Sequence, residues 1–274
     1  MNLKMLVRKV KNRIFHRLLG KIFFQTGKKF YDHPSLWKKS IKYLNQTLNE
    51  NGWQTPFIFT EEECLEFWGS INNKSLSVGN RPEYYAQKNR QIIDLLYRFW
   101  TPEVQKDASV LELGCNCGAN LFWLQQLGYQ SLSGVEINPN AIEQMNISYP
   151  ELVKKTKIFQ RSIEDALLKM RENSVDVIFT MGVSMHIHPK NNFLFREMIR
   201  VAKKFICTIE PESANSNYVF ARNYRRIFNP LGADQLKSVL IRGKVFANVD
   251  LNQGSTLRLF AVPGIKNYGS ARTC

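Results

Sequence analysis

The stretch from Val110 to Leu121 constrains the fold of this chain more than any other feature. Its apolar residues lead into a short loop bounded by Gly114 and Gly118, and a helical pattern follows the second glycine. This order predicts a buried strand, a tight turn and a helix. A second strand pattern over 131–137 contains Glu136, eighteen residues beyond Gly118. In a βαβ nucleotide-binding unit an acid at that place accepts hydrogen bonds from ribose hydroxyls, so the stretch predicts a nucleoside site.

The loop differs from the kind that binds a pyrophosphate. A pyrophosphate loop has the pattern Gly-x-Gly-x-x-Gly, which presents bare backbone amides to the anion. Here Glu112 precedes Gly114 by two residues, and the next glycine is Gly118. Glycine permits a positive φ and lets a ligand approach the backbone closely. A carboxylate beside the loop would repel phosphate, so the pattern favours a nucleoside ligand that carries a positive charge.

These residues resemble a known family. Glu112–Gly118 (Glu-Leu-Gly-Cys-Asn-Cys-Gly) and 134–138 (Gly-Val-Glu-Ile-Asn) are similar to motif I and the following acidic motif of class I S-adenosylmethionine-dependent methyltransferases. The resemblance implies an α/β fold, with a Rossmann-like seven-stranded, mostly parallel sheet that ends in a C-terminal antiparallel hairpin, and a helical region before it. The alternative is a glycine turn in another α/β fold. The predicted cofactor-binding residues are Glu112, Gly114, Cys115, Asn116, Gly118, Glu136, Ile137, Ser162, Ile163, Thr180 and Met181.

The resemblance also implies which part of S-adenosylmethionine each region contacts. Glu112 and Gly114 are expected near the amino acid moiety, and Glu136 on the ribose. Ser162 and Ile163 match the turn that contacts adenine in the family. Ser162 is equally suited to cap the following helix, and the two roles are compatible.

Basic charge is concentrated at the N-terminus. The net charge is +15, and residues 1–31 hold nine Lys or Arg and no acid, which leaves 29 basic and 23 acidic residues, a net +6, in the remainder. Apolar residues at helical spacing predict a basic amphipathic helix over 1–30, suited to an anionic membrane surface. A surface helix packed on the domain is the main alternative, and a nucleic-acid partner is not expected. No apolar run reaches the roughly eighteen residues of a membrane span.

Two further regions follow this helix: a helical region over 31–100 and a methyltransferase domain over 101–274. Thr60 and Glu63 form a capping-box pattern that predicts a helix over 61–68. A second helix is predicted over 83–100. In the resembled family a helix at this place covers the cofactor, and its candidate contacts are Tyr84, Tyr85 and Arg90. The alternative for these residues is aromatic core and a solvated arginine.

Five cysteines occur without a Cys-x-x-Cys pair. Cys115 and Cys117 are too close together for a tetrahedral metal site without partners, and no histidine follows at ligand spacing. The sequence therefore predicts reduced thiols, no metal and a cytoplasmic protein.

The loop after the fourth predicted strand, 174–180, is expected to meet the acceptor, because residues beyond the carboxyl end of a parallel strand face the ligand crevice. This loop contains His186 and His188, the two candidates for a general base. The alternative for each is a hydrogen-bonded structural histidine. The Asn/Asp-Pro-Pro-aromatic motif of nucleic-acid amino-methyltransferases is replaced by residues 180–183, Thr-Met-Gly-Val, which argues against base N-methylation.

Arginines alternate with aromatic residues over 217–228. Arg222, Tyr224 and Arg225 are predicted to bind the acceptor, because this pairing suits a phosphate or carboxylate on a sugar or lipid-linked molecule. RNA could use the same pairing, and a solvated helix face is the default alternative.

A narrower resemblance concerns residues 61–212. The segments 66–68, 88–90, 134–138 and 182–189 resemble methyltransferases associated with pseudaminic acid and other surface-sugar biosynthesis. The resemblance implies methylation of a hydroxyl on a sugar or glycan precursor, by a cytoplasmic enzyme that the N-terminal helix could hold at the inner face of a membrane. The alternatives are an RNA or protein methyltransferase, an NAD-dependent Rossmann oxidoreductase and a non-catalytic membrane-surface adaptor. The sequence predicts no oligomeric state.

Overall fold

The computed structural model describes residues 44, 46–53, 59–74, 81–87, 90–212, 218–241 and 254–264. The amphipathic helix predicted over 1–30 lies outside these ranges, so its membrane role stays a prediction. Among the helices within the ranges, none has the length and apolar character needed to cross a bilayer. The four cysteines within them are buried free thiols.

A seven-stranded sheet forms the centre of the molecule, with the strand order β3-β2-β1-β4-β5-β7-β6. Neighbouring strands from β3 to β5 are parallel, and β7 and β6 are antiparallel. The predicted mostly parallel sheet with a C-terminal antiparallel hairpin is therefore confirmed. The strands are β1 Val110–Leu113, β2 Leu132–Glu136, β3 Lys157–Gln160, β4 Val175–Met181, β5 Ala202–Glu210, β6 Asp234–Ile241 and β7 Ser255–Ala261.

Helices precede the sheet and connect its strands. The predicted capping box is present, since the Glu63 N–H donates to the Thr60 hydroxyl and the Glu63 carboxylate accepts from the Thr60 N–H. Asn138 and Ser162 cap later helices through their side chains. The helices are α1 Glu61–Ser70, α2 Pro82–Ala86, α3 Gln91–Trp100, α4 Ala119–Gln126, α5 Pro139–Ser148, α6 Pro150–Val153, α7 Ile163–Lys169, α8 Phe193–Val201 and α9 Tyr224–Phe228.

The single helix predicted over 83–100 is wrong. The structure has two helices there, because α2 ends at Ala86 and α3 begins only at Gln91. The Gln87 N–H bonds back to the carbonyls of Tyr84 and Tyr85, which closes the last turn of α2. The apolar spacing of the whole stretch is compatible with one helix, so it did not reveal this break.

Apolar side chains cover both faces of the sheet. Phe179 and Phe205 pack with Trp100 on one face, and their strand neighbours Ile178 and Ile206 pack on the other. Burial on both faces is the normal arrangement for parallel strands, and each such side chain contributes about 1.5–3 kcal/mol to folding. The carboxyl ends of the parallel strands remain as the edge where a ligand can bind.

Candidate active site

A cavity of about 360 Å³ lies at the carboxyl ends of β1, β2, β4 and β5. Its volume is within the range of roughly 300–1,000 Å³ that small-molecule and cofactor sites occupy. The structure brings together nine of the residues predicted for the site, and all nine line this cavity: Gly114, Asn116, Glu136, Ile137, Ser162, Ile163, Met181, His186 and His188. Seven predicted residues do not line it: Glu112, Cys115, Gly118, Thr180, Arg222, Tyr224 and Arg225.

The loop after β1 requires glycine at Gly114. Its φ is +68°, and a Cβ there would lie 2.7 Å from both methyl carbons of Val183. Asn116 also has a positive φ of 48°, and its N–H donates to the Glu136 carboxylate at 2.7 Å. The loop therefore turns sharply and is tied to the end of β2.

Gly118 has a different role from the predicted one. A Cβ at this position would lie 2.9 Å from the Met145 Sδ and 3.1 Å from a Leu152 methyl carbon. These atoms belong to α5 and α6, so this glycine allows helices to pack closely. The predicted close approach of a ligand at Gly118 is corrected accordingly.

Glu112 lies beneath the cavity and does not line it. The residue is only 1% exposed, and its Oε1 accepts a hydrogen bond from the Asn120 Nδ2 at 2.6 Å. This bond joins β1 to α4, so the predicted contact with the ligand is replaced by a structural role. Cys115 is also buried and lies next to Gly134. The Thr180 hydroxyl accepts a hydrogen bond from the Ser184 hydroxyl. Neither residue lines the cavity.

Glu136 is the central acid of the site. Its two carboxylate oxygens accept from the N–H groups of Asn116 at 2.7 Å and Asn138 at 2.8 Å. Burial raises the pKa of this carboxyl group, and the amide bonds oppose the rise. The Ile137 N–H also bonds to this carboxylate, which has about four acceptor sites in all, so capacity remains for a ligand hydroxyl.

Ser162 both caps α7 and lines the cavity. Its Oγ accepts from the Asp165 N–H at 3.1 Å, as the capping prediction required. The apolar side chains of Ile137 and Ile163 line the same cavity.

His186 lies on the cavity wall in one defined tautomer. Its Nδ1 is 2.8 Å from the Tyr218 carbonyl oxygen, which can only accept, so the proton is on Nδ1 and Nε2 has a lone pair. The ring centroid is 4.1 Å from that of Trp68. Burial lowers the pKa of His186 to about 4, which keeps the ring neutral at physiological pH.

His188 has a structural role instead of the predicted catalytic one. It is 2% exposed, and its Nε2 lies 3.1 Å from the Phe59 carbonyl oxygen. Its Nδ1 accepts from the Lys190 N–H at 3.3 Å. Burial lowers the pKa of this ring. Because both ring nitrogens are engaged with the backbone, neither is free to take a proton from an acceptor.

The predicted acceptor-binding group is also corrected. Arg222 is fully buried, and its guanidinium donates to the carbonyls of Ile187 at 2.7 Å and Phe220 at 3.1 Å, and to Asn192 Oδ1 at 2.8 Å. Tyr224 is buried in the core, and Arg225 is exposed on α9. For Arg222 and Tyr224, the alternation of arginine and aromatic residues results from packing in the interior of the protein.

Helix α1 covers the cavity, a role that the sequence did not indicate. Cys64, Leu65 and Trp68 line the cavity from this helix. Side-chain amides hold it at both ends: Asn191 donates to the Glu61 carboxylate at 2.9 Å, and Asn138 donates to the Ile71 carbonyl at 2.6 Å. From the predicted covering helix over 83–100, Tyr85 is the residue within the described part that lines the cavity.

Comparison with known proteins agrees with this geometry. Residues 110–204 match a family model described as a methyltransferase domain. No curated protein matches the chain in sequence. The structure resembles the protein described as the methyltransferase in a complex with the Trm112 methyltransferase activator of Haloferax volcanii, with a TM-score of 0.52 and 15% identity over 65% of this chain and 91% of that one.

Two further solved structures share the fold. Geranyl diphosphate C-methyltransferase from Streptomyces coelicolor A3(2) has a TM-score of 0.51 and 13% identity over 62% of this chain and 78% of that one. Magnesium protoporphyrin IX methyltransferase from Synechocystis PCC 6803 has a TM-score of 0.51 and 11% identity over 68% and 88%. At such identities the likeness concerns the fold and leaves the acceptor open.

The strand order defines a Rossmann-like α/β domain, and the glycine loop and Glu136 line the cavity at the carboxyl ends of its parallel strands. The family match covers residues 110–204, so this part of the chain is a methyltransferase domain, whose cofactor is S-adenosylmethionine. The alternatives of an NAD-dependent oxidoreductase and of a non-catalytic adaptor are therefore not retained. Among the residues with described positions, no group of three His, Cys, Asp or Glu side chains is arranged to hold a metal ion.

Proposed function

We propose that the protein transfers a methyl group from S-adenosylmethionine to a hydroxyl of a small, sugar-type or glycan-type acceptor. The observation that carries this proposal is the tautomer of His186. Its Nδ1–H donates to the Tyr218 carbonyl, so Nε2 offers a lone pair on the wall of the cavity. A hydroxyl group needs a hydrogen-bond acceptor of this kind before its oxygen can attack.

The residues beside β1 and β2 fit the cofactor. The acceptor capacity left on Glu136 suits a ribose hydroxyl, and the carboxylate complements the positive charge of the sulfonium nucleoside. Ile137 and Ile163 give apolar surface for a flat base, with Ser162 beside them. Gly114 and Asn116, in the turn after β1, would lie beside the amino acid moiety of the cofactor.

In the mechanism, S-adenosylmethionine supplies an electrophilic methyl carbon. The chain aligns the acceptor: His186 Nε2 accepts the hydrogen bond of the hydroxyl and directs an oxygen lone pair towards the methyl group. A pKa of about 4 makes His186 a hydrogen-bond acceptor and a weak base, so the proton passes on to solvent. Alignment of this kind is worth several kcal/mol of the barrier.

The residues that line the cavity suit a neutral acceptor that contains a ring. Trp68 and Tyr218 both line the cavity, and their ring centroids are 5.9 Å apart. Aromatic rings pack well against the apolar faces of sugars. The charged residues among the described lining are Glu61, Glu136, Glu164 and Arg161, three acids and one base. This balance favours a hydroxyl over a phosphate or carboxylate, and burial of Arg222 removes the main support for an RNA acceptor.

Transfer of label from S-[methyl-³H]adenosylmethionine to sugars, nucleotide sugars, RNA and protein tests the proposal. The decisive variant is His186→Asn, because the Asn amide can still donate to the Tyr218 carbonyl but has no acceptor at the position of Nε2. We expect it to lower the transfer rate by about 100-fold, a typical effect of removing a positioned acid–base group. Binding of S-adenosylhomocysteine, measured by calorimetry, should stay close to that of wild type.

His188→Asn is the matched control, because it changes the other histidine of the same loop. We expect a lower thermal midpoint, and a transfer rate of the folded protein close to that of wild type. Label found mainly in RNA or protein would overturn the proposed acceptor. Equal rates for wild type and His186→Asn would overturn the role of His186.

A further inference from the structure

The loop over 182–188 contains one 3₁₀ turn, Ser184–His186, and a buried acid satisfies the amides at the start of this turn. Glu210, the last residue of β5, is fully buried. Its Oε1 accepts from the N–H groups of Val183 at 3.1 Å and Ser184 at 3.0 Å. Its Oε2 accepts from the Met185 N–H at 3.3 Å. Three consecutive amides of the loop therefore meet in one carboxylate.

A buried base satisfies the carbonyl groups of the same loop. Arg222 donates to the Ser184 carbonyl at 3.4 Å and to the Ile187 carbonyl at 2.7 Å. The backbone near Arg222 also bonds to the loop, since the Phe220 N–H donates to the Met185 carbonyl at 2.7 Å. The loop is thus held through its N–H groups by an acid and through its carbonyl groups by an arginine.

We propose that Glu210 and Arg222 are positioning residues for methyl transfer, which act by fixing the loop that carries His186. The proposal rests on the proposed function of His186. Neither residue lines the cavity, so neither contacts a ligand directly. Glu210 contacts the backbone before His186, and Arg222 contacts it on both sides, all within residues 183–187. We call Glu210 and Arg222 the clamp pair.

The burial of two charged residues in the clamp pair is costly, which indicates that the pair serves to fix the geometry of the loop. Burial raises the pKa of Glu210 to about 7 and lowers that of Arg222 to about 10, so each charge is buried against its preference. Two buried charges stabilise a fold less than apolar residues of the same size would. Their benefit is geometric, because a misplacement of about 1 Å at a reacting group can cost about 100-fold in rate.

The test uses Glu210→Ala, Glu210→Gln and Arg222→Lys in the full chain. Glutamine keeps one acceptor oxygen, and lysine keeps the charge without the planar fork of donors. Matched controls are Asp176→Asn and Arg200→Lys. Asp176 accepts from the Ser109 N–H at 3.0 Å, and Arg200 donates to the Met170 and Leu167 carbonyls at 2.8 and 2.7 Å, all outside the cavity lining.

Three readouts separate positioning from stability. The first is calorimetric binding of S-adenosylhomocysteine, and the second is label transfer from S-[methyl-³H]adenosylmethionine into the small-molecule fraction of a cell extract. The third is hydrogen–deuterium exchange of residues 183–187, followed by mass spectrometry, which requires no acceptor. For Glu210→Ala we expect about 100-fold slower transfer, unchanged ligand affinity and faster exchange. Glu210→Gln and Arg222→Lys should fall between this variant and wild type.

The controls should lose thermal stability while their transfer rate and loop exchange stay at wild-type values. Equal transfer losses in the controls, or unchanged loop exchange in Glu210→Ala, would overturn the proposal. If wild type transfers no label to any fraction, the proposed function fails, and the exchange measurement still decides whether the clamp pair holds the loop.

Discussion

The two halves of the cavity are built by different means. In the half beside β1 and β2, for which we propose the cofactor and which we call the cofactor half, a main-chain turn at Gly114 and the acid Glu136 form the lining directly. In the half beside β4 and β5, for which we propose the acceptor and which we call the acceptor half, two buried charged residues hold a loop and do not line the cavity. The first half needs a particular backbone shape, and the second needs particular side-chain partners for an irregular backbone.

The halves meet where Gly114 approaches Val183. Replacement of Gly114 by alanine should therefore have the largest effect of the changes considered. The new Cβ combines a strained positive φ with a collision at 2.7 Å, and overpacking alone costs about 1–3 kcal/mol. We expect a large loss of S-adenosylhomocysteine affinity in calorimetry and a lower thermal midpoint.

Gly264→Ala is the matched control for this change, because Gly264 does not line the cavity. Its φ is +97°, and nothing lies within 4 Å of a Cβ built there. It should show only the conformational penalty, about 1 kcal/mol, with nearly normal ligand affinity. If both variants behaved alike, the contact between the two halves would have no energetic importance.

The next effect concerns the two acids of the cofactor half. Glu136→Gln should weaken S-adenosylhomocysteine binding by about 10- to 100-fold, because hydrogen bonds to charged groups are worth about 1.5–3 kcal/mol. Glu112→Gln should lower stability but change affinity little, since Glu112 bonds to Asn120 and does not line the cavity. Calorimetry on both variants measures the difference. A greater loss of affinity in Glu112→Gln would restore the role predicted from the sequence.

The most gradual effect is the pH dependence of stability in the acceptor half. The pKa of Glu210 is about 7 in the folded protein against an ordinary 4.5, so its contribution to stability is lost as pH rises from 4.5 to 7. The free energy of unfolding of wild type, relative to Glu210→Gln, should fall over this window by at most about 1.4 kcal/mol per pH unit. Urea unfolding at several pH values measures this difference.

For His186, the pH dependence of stability has the opposite sign. Its pKa of about 4 lies below the ordinary 6.5, so wild type should gain stability relative to His186→Asn as pH rises from 4 to 6.5. Two difference curves of the same sign would show that at least one of these groups is not desolvated as the structure indicates.

Sequence patterns predicted the strand, the turn and the second strand that carry Gly114 and Glu136, because these features are local. A glycine with a required positive φ, a strand of four residues and an acid at the end of the next strand are all visible in Val110–Glu136. The acceptor half depends on contacts between distant residues. Arg222 and Ser184 are 38 positions apart, so an arginine that holds a loop looks the same in sequence as one that binds a phosphate.

The covering role of α1 was missed for the same reason. The capping box at Thr60 predicted that the helix exists, and it is present. Which surface the helix covers depends on Asn138 and Asn191, which are 67 and 130 residues away from their partners. No local pattern contains that information.

Helix α1 touches both halves, since one end bonds to Asn138 and the other to Asn191. Both attachments are single side-chain hydrogen bonds. Each is worth about 1–3 kcal/mol, a barrier that thermal motion crosses readily. A movement of α1 that breaks one of these bonds is therefore energetically accessible, and in enzymes with such a covering element the release of product often limits turnover.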